Sequence, residues 1–490
     1  MKLKILLTNL KNNMQLWTIK ELSLALKDQL IQPTTDLNLP TIDVVIDSRK
    51  AQKNSIFVAL KGEVNDGHNF IKDVLNQGAS YCIAEQIPQD LNPDLAKHLI
   101  LVKNSYDALN DLAKFSRFRT QAKIIAITGS VGKTSTKEML RMAFESQGKT
   151  FANFGNLNNH IGLPLSLANL EADCKYAIFE MGMNHLNEII HLSKIAQPHI
   201  AIITNVGPVH IEFFTDEQEI ALAKSEIFAG VCPNGFAILN YDNIHYEFIK
   251  SQALKAGIRE SHILKFSQNK NSDYQIKNIN TTEDLNSKIT IELNGAKQEI
   301  EVCINSLNPA ISRNTVITIA CLDLIGNNLS AGAKALNAFS CAEGRGKVSN
   351  ITHNNKKITL IDDTYNASIL SMKSGIENCL NLAKTLNKKR IICALGDMLE
   401  LGEKSQEIHQ ELLEFVQDKN FHHIILVGKQ MHQAQNQIKL NNATTYLDSK
   451  TASESIENLV NDGDILYLKG SRGIKMEKFI EKLTLKTSAH

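Results

Sequence analysis

At 490 residues the chain is too long for one ordinary core and predicts roughly two to four domains, with 43% hydrophobic residues to fill them. Lys and Arg number 53 against 52 Asp and Glu, a balance that leaves no basic footprint and excludes nucleic acid as the main partner. No run of about 18 apolar residues occurs, so no membrane span is expected, and eight cysteines without a C-x-x-C pair exclude a zinc knuckle or redox pair and predict reduced, cytoplasmic thiols.

The opening segment, MKLKILLTNLKNN, has a short apolar stretch interrupted by Thr8 and Asn9 and no small-residue cleavage site, so it does not read as a signal peptide. A first α/β region is predicted over 1–103. A helix spans 16–30, and short strands follow at 42–47, 55–60 and 80–84, punctuated by the turns Lys61-Gly62 and Asp66-Gly67.

The second region, 104–341, alternates buried-looking strands (123–128, 176–180, 199–206) with helices (133–146, stopped near Gly148, and 216–229). That is the pattern of a doubly wound, mainly parallel sheet. A hairpin is expected late, with strands 288–293 and 296–304 around the Asn294-Gly295 turn. The third region, 342–490, alternates again, with strands at 357–361, 390–395, 422–427 and 464–469, and predicts a Rossmann-like α/β domain.

The strand 124–128 runs straight into Gly129-Ser130-Val131-Gly132-Lys133-Thr134-Ser135, and a helix follows. Glycines let backbone N–H groups turn toward a phosphate, and the helix N-terminus adds partial positive charge. Lys133 is placed to reach the β/γ-phosphates, and the Thr134 hydroxyl to ligate Mg²⁺. Only two residues separate Gly129 from Gly132, fewer than in the usual phosphate loop. Glu180 closes the strand YAIFE, and His210 follows another strand in the loop GPVH. Taken alone, each reads as an ordinary surface Glu or core His. At strand ends beyond a phosphate loop they become candidate metal ligands.

The shortened loop resembles that of the Mur ligases and their relative, folylpolyglutamate synthase, and the resemblance to the Mur ligase family extends from Met14 over nearly the whole chain. It implies three domains, for UDP-substrate binding, ATP binding and ligation, and an ATP-dependent amide ligase that works through an acyl phosphate. It assigns Glu180 to the magnesium bridging the ATP phosphates and His210 to a second magnesium. It makes Lys224, in ALAKSEIF, a lysine converted to a carbamate, whereas composition alone favours an exposed helix lysine. Residues 1–13 have no counterpart in the family, and are expected to be a dispensable extension or a misplaced start.

The same resemblance gives Ser48, Arg49, Lys61 and Gly62 to the uridine diphosphate group, and Asn156, Asn158 and Asn159, in NFGNLNNHIGLPLSL, to the UDP-muramoyl substrate. In isolation these are turns and a helix cap. In the third region LIDDTYNAS, LGDMLELG and LKGSRGIKME resemble the branch of the family that adds D-alanyl-D-alanine to UDP-N-acetylmuramoyl-tripeptide in peptidoglycan synthesis. Asp363 would contact nucleotide or incoming amine, Tyr365 and Asn366 would shape the same face, and Lys469, Ser471 and Arg472 would meet carboxylate or phosphate. Arg345 matches an arginine that contacts ATP across a domain boundary. Asn314 matches the adenine-side Asn of Gly-Arg-His-Asn, although Arg313 stands where the family has His.

The alternatives are a tripeptide-forming ligase, whose Asp-Asn-Pro-Arg motif is missing here, and a folate polyglutamate synthase, which has no such N-terminal domain. A non-catalytic phosphate-loop scaffold is the alternative of a different class. A monomer is expected.

Overall fold

The computed structural model describes residues 15–32, 34–209, 211–282, 286–293 and 298–484. The expected extension 1–13 and the Asn294-Gly295 turn therefore lie outside the described residues.

Three sheets follow one another along the chain. The first holds four parallel strands in sequence order, β1 (Asp43–Val45), β2 (Ser55–Val58), β3 (Tyr81–Ala84) and β4 (Leu99–Leu101). β2 and β3 are buried at every position, because Ile56 and Tyr81 face one core and Phe57 and Cys82 the other. A parallel sheet covered on both sides reads as a continuous apolar run. Helix α1 (Ile19–Ala25) is shorter than the expected 16–30. Thr18 and Glu21 form a capping box that sets its start, leaving Leu16 and Trp17 to pack as extended chain. The Trp17 indole donates to the Ala168 carbonyl at 2.9 Å, and the Arg119 guanidinium stacks 4.1 Å above it. Arg119 ends helix α2 (Ser105–Arg119), which Asn104 caps. The apolar face of α2 serves two cores, Leu109 and Leu112 in the first and Ala113 in the next.

The second sheet has nine strands: β5 (Lys123–Thr128), β6 (Thr150–Ala152), β7 (Tyr176–Glu180), β8 (Ile200–Ile203), β9 (Phe236–Asn240), β10 (Ile263–Ser267), β11 (Tyr274–Thr281), β12 (Ser287–Leu293) and β13 (Gln298–Ile304). Their spatial order is β13-β12-β11-β10-β9-β8-β5-β7-β6, with β11 to β13 an antiparallel meander. The chain winds away from β5 in both directions, so the carboxyl ends of β5, β7 and β8 border a topological switch point, where ligands of open α/β sheets bind. Helix α3 (Lys133–Glu145) leaves β5, α4 (Gly162–Ala168) precedes β7, and α5 (Glu217–Ser225) follows β8. α5 ends sooner than the expected 216–229, and its last turns tighten to a 3₁₀ helix over Glu226–Gly230. Helix α6 (Pro309–Ile325) starts on the Asn308 cap with Pro309 in its first turn, and stops at Gly326, φ 74°.

The third sheet joins β14 (Lys347–His353), β15 (Lys356–Asp363), β16 (Ile391–Gly396), β17 (His423–Val427), β18 (Ala443–Tyr446) and β19 (Ile465–Lys469) in the order β14-β15-β19-β16-β17-β18. All pairs are parallel except β14 with β15. The reading of the sequence missed β14. Its polar, half-exposed run sits at the sheet edge, and the two-residue turn Asn354-Asn355, φ 47° and 62°, is what makes the hairpin. Helix α7 (Ile369–Thr385) follows β15 and packs against the middle domain. A Cβ on Gly207 would sit 2.1 Å from Leu370 Cδ1.

Candidate active site

The loop after β5 is held in shape by the segment after β8. Gly129 and Gly132 take φ 147° and 90°. A Cβ on Gly129 would meet the Thr204 hydroxyl at 2.1 Å, so only glycine lets the two strands' ends approach. Thr204 donates to the Val131 carbonyl at 2.6 Å, and the Ser130 hydroxyl both donates to Gly207 O (2.9 Å) and accepts from Gly207 N–H (3.1 Å). The backbone N–H of Ser130 donates to Asn205 O at 2.8 Å. The Lys133 amine lies across the loop and donates to Gly129 O at 2.5 Å. Burial pushes its pKa below the usual lysine range, with Glu180 opposing and Arg345 adding to the shift.

Glu180 is buried at the carboxyl end of β7, and both carboxylate oxygens are engaged. Oε2 accepts from the Thr134 hydroxyl at 2.9 Å, and Oε1 from the Asn158 amide at 2.9 Å. Carboxylate, hydroxyl and amide thus converge beside the phosphate loop. The carboxylate and the hydroxyl are oxygen donors that suit Mg²⁺, which keeps waters and phosphate oxygens in its other positions, while the amide nitrogen orients the carboxylate. Among the described residues no three His, Cys, Asp or Glu side chains gather as a ready metal cage. His210, the other expected ligand, lies outside the described residues.

Lys224 is not the exposed helix lysine that composition favours. It is 3% exposed near the end of α5 and lines the same cavity. Among the described residues its amine has no hydrogen-bond or ion-pair partner. Burial first, and the charge of Lys133 second, push its pKa well below the ordinary lysine value.

The third domain supplies the opposite wall of a cavity of about 630 Å³. Asp363 and Lys469 are register partners at the ends of β15 and β19, and pair at 2.8 Å. Lys469 also donates to Asn366 O at 2.9 Å, and the Tyr467 hydroxyl to Asp363 at 3.3 Å. Burial raises the Asp363 pKa against the pull of Lys469. Tyr365 carries the Arg345 guanidinium on its ring at 4.1 Å, with Arg472 at 5.6 Å. On α6, the Asn314 side chain is buried with its amide nitrogen unpartnered, and Arg313 beside it lines the cavity.

The cavity gathers Ser130 to Ser135, Asn156, Asn158, Asn159, Glu180, Lys224, Asn314, Arg345, Asp363, Tyr365, Asn366 and Lys469. It does not gather the four N-terminal candidates. Arg49 is exposed and spent on Asp47, donating through Nε at 2.9 Å and NH2 at 2.8 Å, which lowers the Asp47 carboxyl to about 2. Ser48 lies in the same 3₁₀ turn, and Lys61 and Gly62 in a tight turn where Gly62 N–H meets Asn65 O. Ser471 does not line the cavity either, since its hydroxyl accepts from Leu399 N–H at 3.0 Å. Asn159 is half used as a cap, its side-chain oxygen accepting from Gly162 N–H at the start of α4. Thr204, Asn153 and Lys137 were not singled out from the sequence. Their partners are carbonyls and backbone amides of distant segments, and no motif announces that.

Comparison with known proteins covers the whole arrangement. Three family models match: Mur ligase family, catalytic domain (residues 43–117), Mur ligase middle domain (127–322), and Mur ligase, glutamate ligase domain (348–472). The UDP-N-acetylmuramoyl-tripeptide–D-alanyl-D-alanine ligase of Rickettsia prowazekii is 34% identical over 95% of this chain and 99% of its own. The enzyme of that name from Haemophilus influenzae is 31% identical over 91% and 94%. Crystal structures of MurF from Acinetobacter baumannii (TM-score 0.80, 29% identity, 95% and 98% covered) and of the Thermotoga maritima MurF ligase with ADP (0.76, 26%, 90% and 97%) share the fold.

Proposed function

The chain belongs to the Mur ligase family, and from that premise we propose that it adds D-alanyl-D-alanine to UDP-N-acetylmuramoyl-tripeptide, with ATP, in the cytoplasmic synthesis of peptidoglycan precursors. The observation that carries the reading is the single cavity in which Lys133, Glu180 and Lys224 of the middle domain face Arg345, Asp363 and Lys469 of the third. The chain acts as a monomer of three units, 1–103, 104–341 and 342–490.

The tripeptide's terminal carboxylate attacks the γ-phosphoryl group of ATP, and the dipeptide amine then displaces phosphate from the acyl phosphate to give the amide, ADP and phosphate. Catalysis is positioning and charge stabilisation. The loop 129–135 and Lys133 hold the phosphates, Asn314 and Arg345 the rest of the nucleotide. Asn156, Asn158 and Asn159 hold the muramoyl substrate, with Ser48, Arg49, Lys61 and Gly62 taking its uridine diphosphate end. Asp363, Tyr365, Asn366, Lys469, Ser471 and Arg472 form the amine side. Thr134, Glu180, His210 and Lys224 would hold two Mg²⁺ ions, which neutralise phosphate charge. As an ammonium Lys224 would repel such an ion. Its depressed pKa favours the neutral amine, which adds to CO₂ to give an anionic carbamate and a proton.

ADP release is the test, with a panel of amines and with tripeptides carrying lysine or diaminopimelate third. Turnover should require both tripeptide and D-alanyl-D-alanine. Efficient addition of lysine or diaminopimelate to the dipeptide precursor, with none of D-alanyl-D-alanine to the tripeptide, overturns the reading.

A further inference from the structure

The Asn-rich loop 153–159 is tied at its ends, by Asn153 N–H on Ile178 O (3.3 Å) and Gly182 N–H on Asn158 O (2.8 Å), with Leu157 N–H on Phe154 O (3.2 Å) across it, but it is open around Gly155. Gly155 takes φ 55° with nothing near its Cβ position, and Phe154 is 83% exposed. Yet Asn158, on this loop, must meet Glu180 with hydrogen-bond accuracy.

The loop is held from α3. Lys137 lies one helical turn beyond Thr134, on the same face. It is 1% exposed and absent from the cavity lining. Its amine donates to Asn153 O at 2.7 Å, lies 3.5 Å from Gly155 O, and is 3.3 Å from Glu138 Oε1. Asn153 passes the constraint on. Its side-chain amide donates to Leu157 O at 2.8 Å and Glu180 O at 3.2 Å, and its oxygen accepts from Glu180 N–H at 2.9 Å. The helix that starts at the phosphate loop therefore also fixes the loop and the strand end that face it. Burying an ammonium is costly, and a charge-assisted bond to carbonyls that would otherwise be orphaned is what offsets it.

We propose that Lys137 is a positioning residue. Its ammonium pins the Asn153–Gly155 backbone to α3 and so sets the distance between the phosphate-binding end of the site and the loop that receives the UDP-linked substrate. It touches no reactant. The part concerning substrate rests on the ligase reading; the immobilisation of the loop does not.

Two readouts on the full chain test it. The exposed Phe154 is a chymotrypsin site. Cleavage after it should be several-fold faster in Lys137→Met than in wild type, and slower again in Lys137→Arg, which restores the charge. In steady-state kinetics Lys137→Met should raise KM for the UDP-linked tripeptide about tenfold, the size of a charge-assisted hydrogen bond. The Kd for ATP alone, by calorimetry, should stay within about twofold. Asn153→Asp, which removes the donors to Leu157 and Glu180, should reproduce the KM rise. If Lys137→Met does not fold, Lys137→Arg and Asn153→Asp decide by the same two readouts. Unchanged cleavage at Phe154, or a loss of ATP affinity equal to the rise in KM, overturns the proposal. Wild-type protein that fails to turn over these substrates counts against the ligase reading, while the cleavage comparison still judges the clamp.

Discussion

Helices α3 and α5 each bury a lysine beside the same cavity, and they treat its charge in opposite ways. Lys137 on α3 meets two carbonyl oxygens and a carboxylate. Lys224 on α5 meets no partner among the described residues, and Lys133 is close enough to depress its pKa further. The first region is complete as protein. The second carries an uncompensated polar group, which folding alone does not reward. The contrast extends outward: Asn159 is spent on a helix start, whereas the Asn314 amide nitrogen is buried without a partner. Along this cavity, the polar groups that the fold satisfies hold shape, and Lys224 and Asn314, which it leaves without a partner among the described residues, are the ones open to a ligand.

Four substitutions test that contrast. Lys133→Ala should lower kcat by about 10³-fold or more, since it removes a preorganised charge aimed at phosphate. Its thermal unfolding should hardly change, and a folded variant with near-normal turnover would remove the loop from the chemistry. Lys224→Met should also lose about 10²–10³-fold in activity, with partial rescue by short carboxylic acids that supply the lost anion.

Lys224→Met should at the same time be more stable, by about 1–3 kcal/mol in urea unfolding, because a buried polar group without a partner is gone. The pH dependence follows from the lowered pKa. An amine whose folded pKa lies below its unfolded value penalises the fold while it is protonated in both states. That penalty is relieved as pH rises from the folded pKa toward the ordinary value of 10.5. Wild type should therefore gain stability over that window relative to Lys224→Met, and parallel curves would show that the amine is already compensated.

Asn314→Ala should weaken ATP binding about tenfold in a direct titration, at little cost in melting temperature, if its free amide awaits the nucleotide. Asn159→Ala is the smallest effect and the reverse case. It should cost about 1 kcal/mol of stability through the lost bond to Gly162 N–H, and raise KM for the UDP-linked substrate only about two- to threefold, since the side-chain oxygen is already engaged. A large rise in that KM would move Asn159 from the satisfied group to the unsatisfied one.

Much of the middle domain's site was legible in the sequence. The phosphate loop is contiguous, its two glycines precede a helix that Lys133 opens, and Glu180 closes a strand of unbroken apolar residues. Of the third-domain phrases, LIDDTYNAS supplies the far wall, LKGSRGIKME adds Lys469, and LGDMLELG stays off the cavity lining. The N-terminal candidates lie apart from that cavity. DSRK and the Lys61-Gly62 turn look polar and functional, and the structure pairs Arg49 with Asp47 at the surface and keeps all four candidates outside the cavity lining.

Neighbouring residues alone were enough for most of the strands and helices, the glycine-bearing loop and membership of a ligase lineage, because each is written in local chemistry. Which charges meet depends on the assembled fold. Asp363 and Lys469 pair because β15 and β19 are neighbours in the sheet, and Lys137 holds Asn153 because α3 passes beneath the loop. Lys224 loses its water because the packing around α5 buries it at the edge of the cavity. Desolvation and cross-strand register depend on what packs where, and a helical lysine reads the same in sequence whether it faces solvent or a buried site.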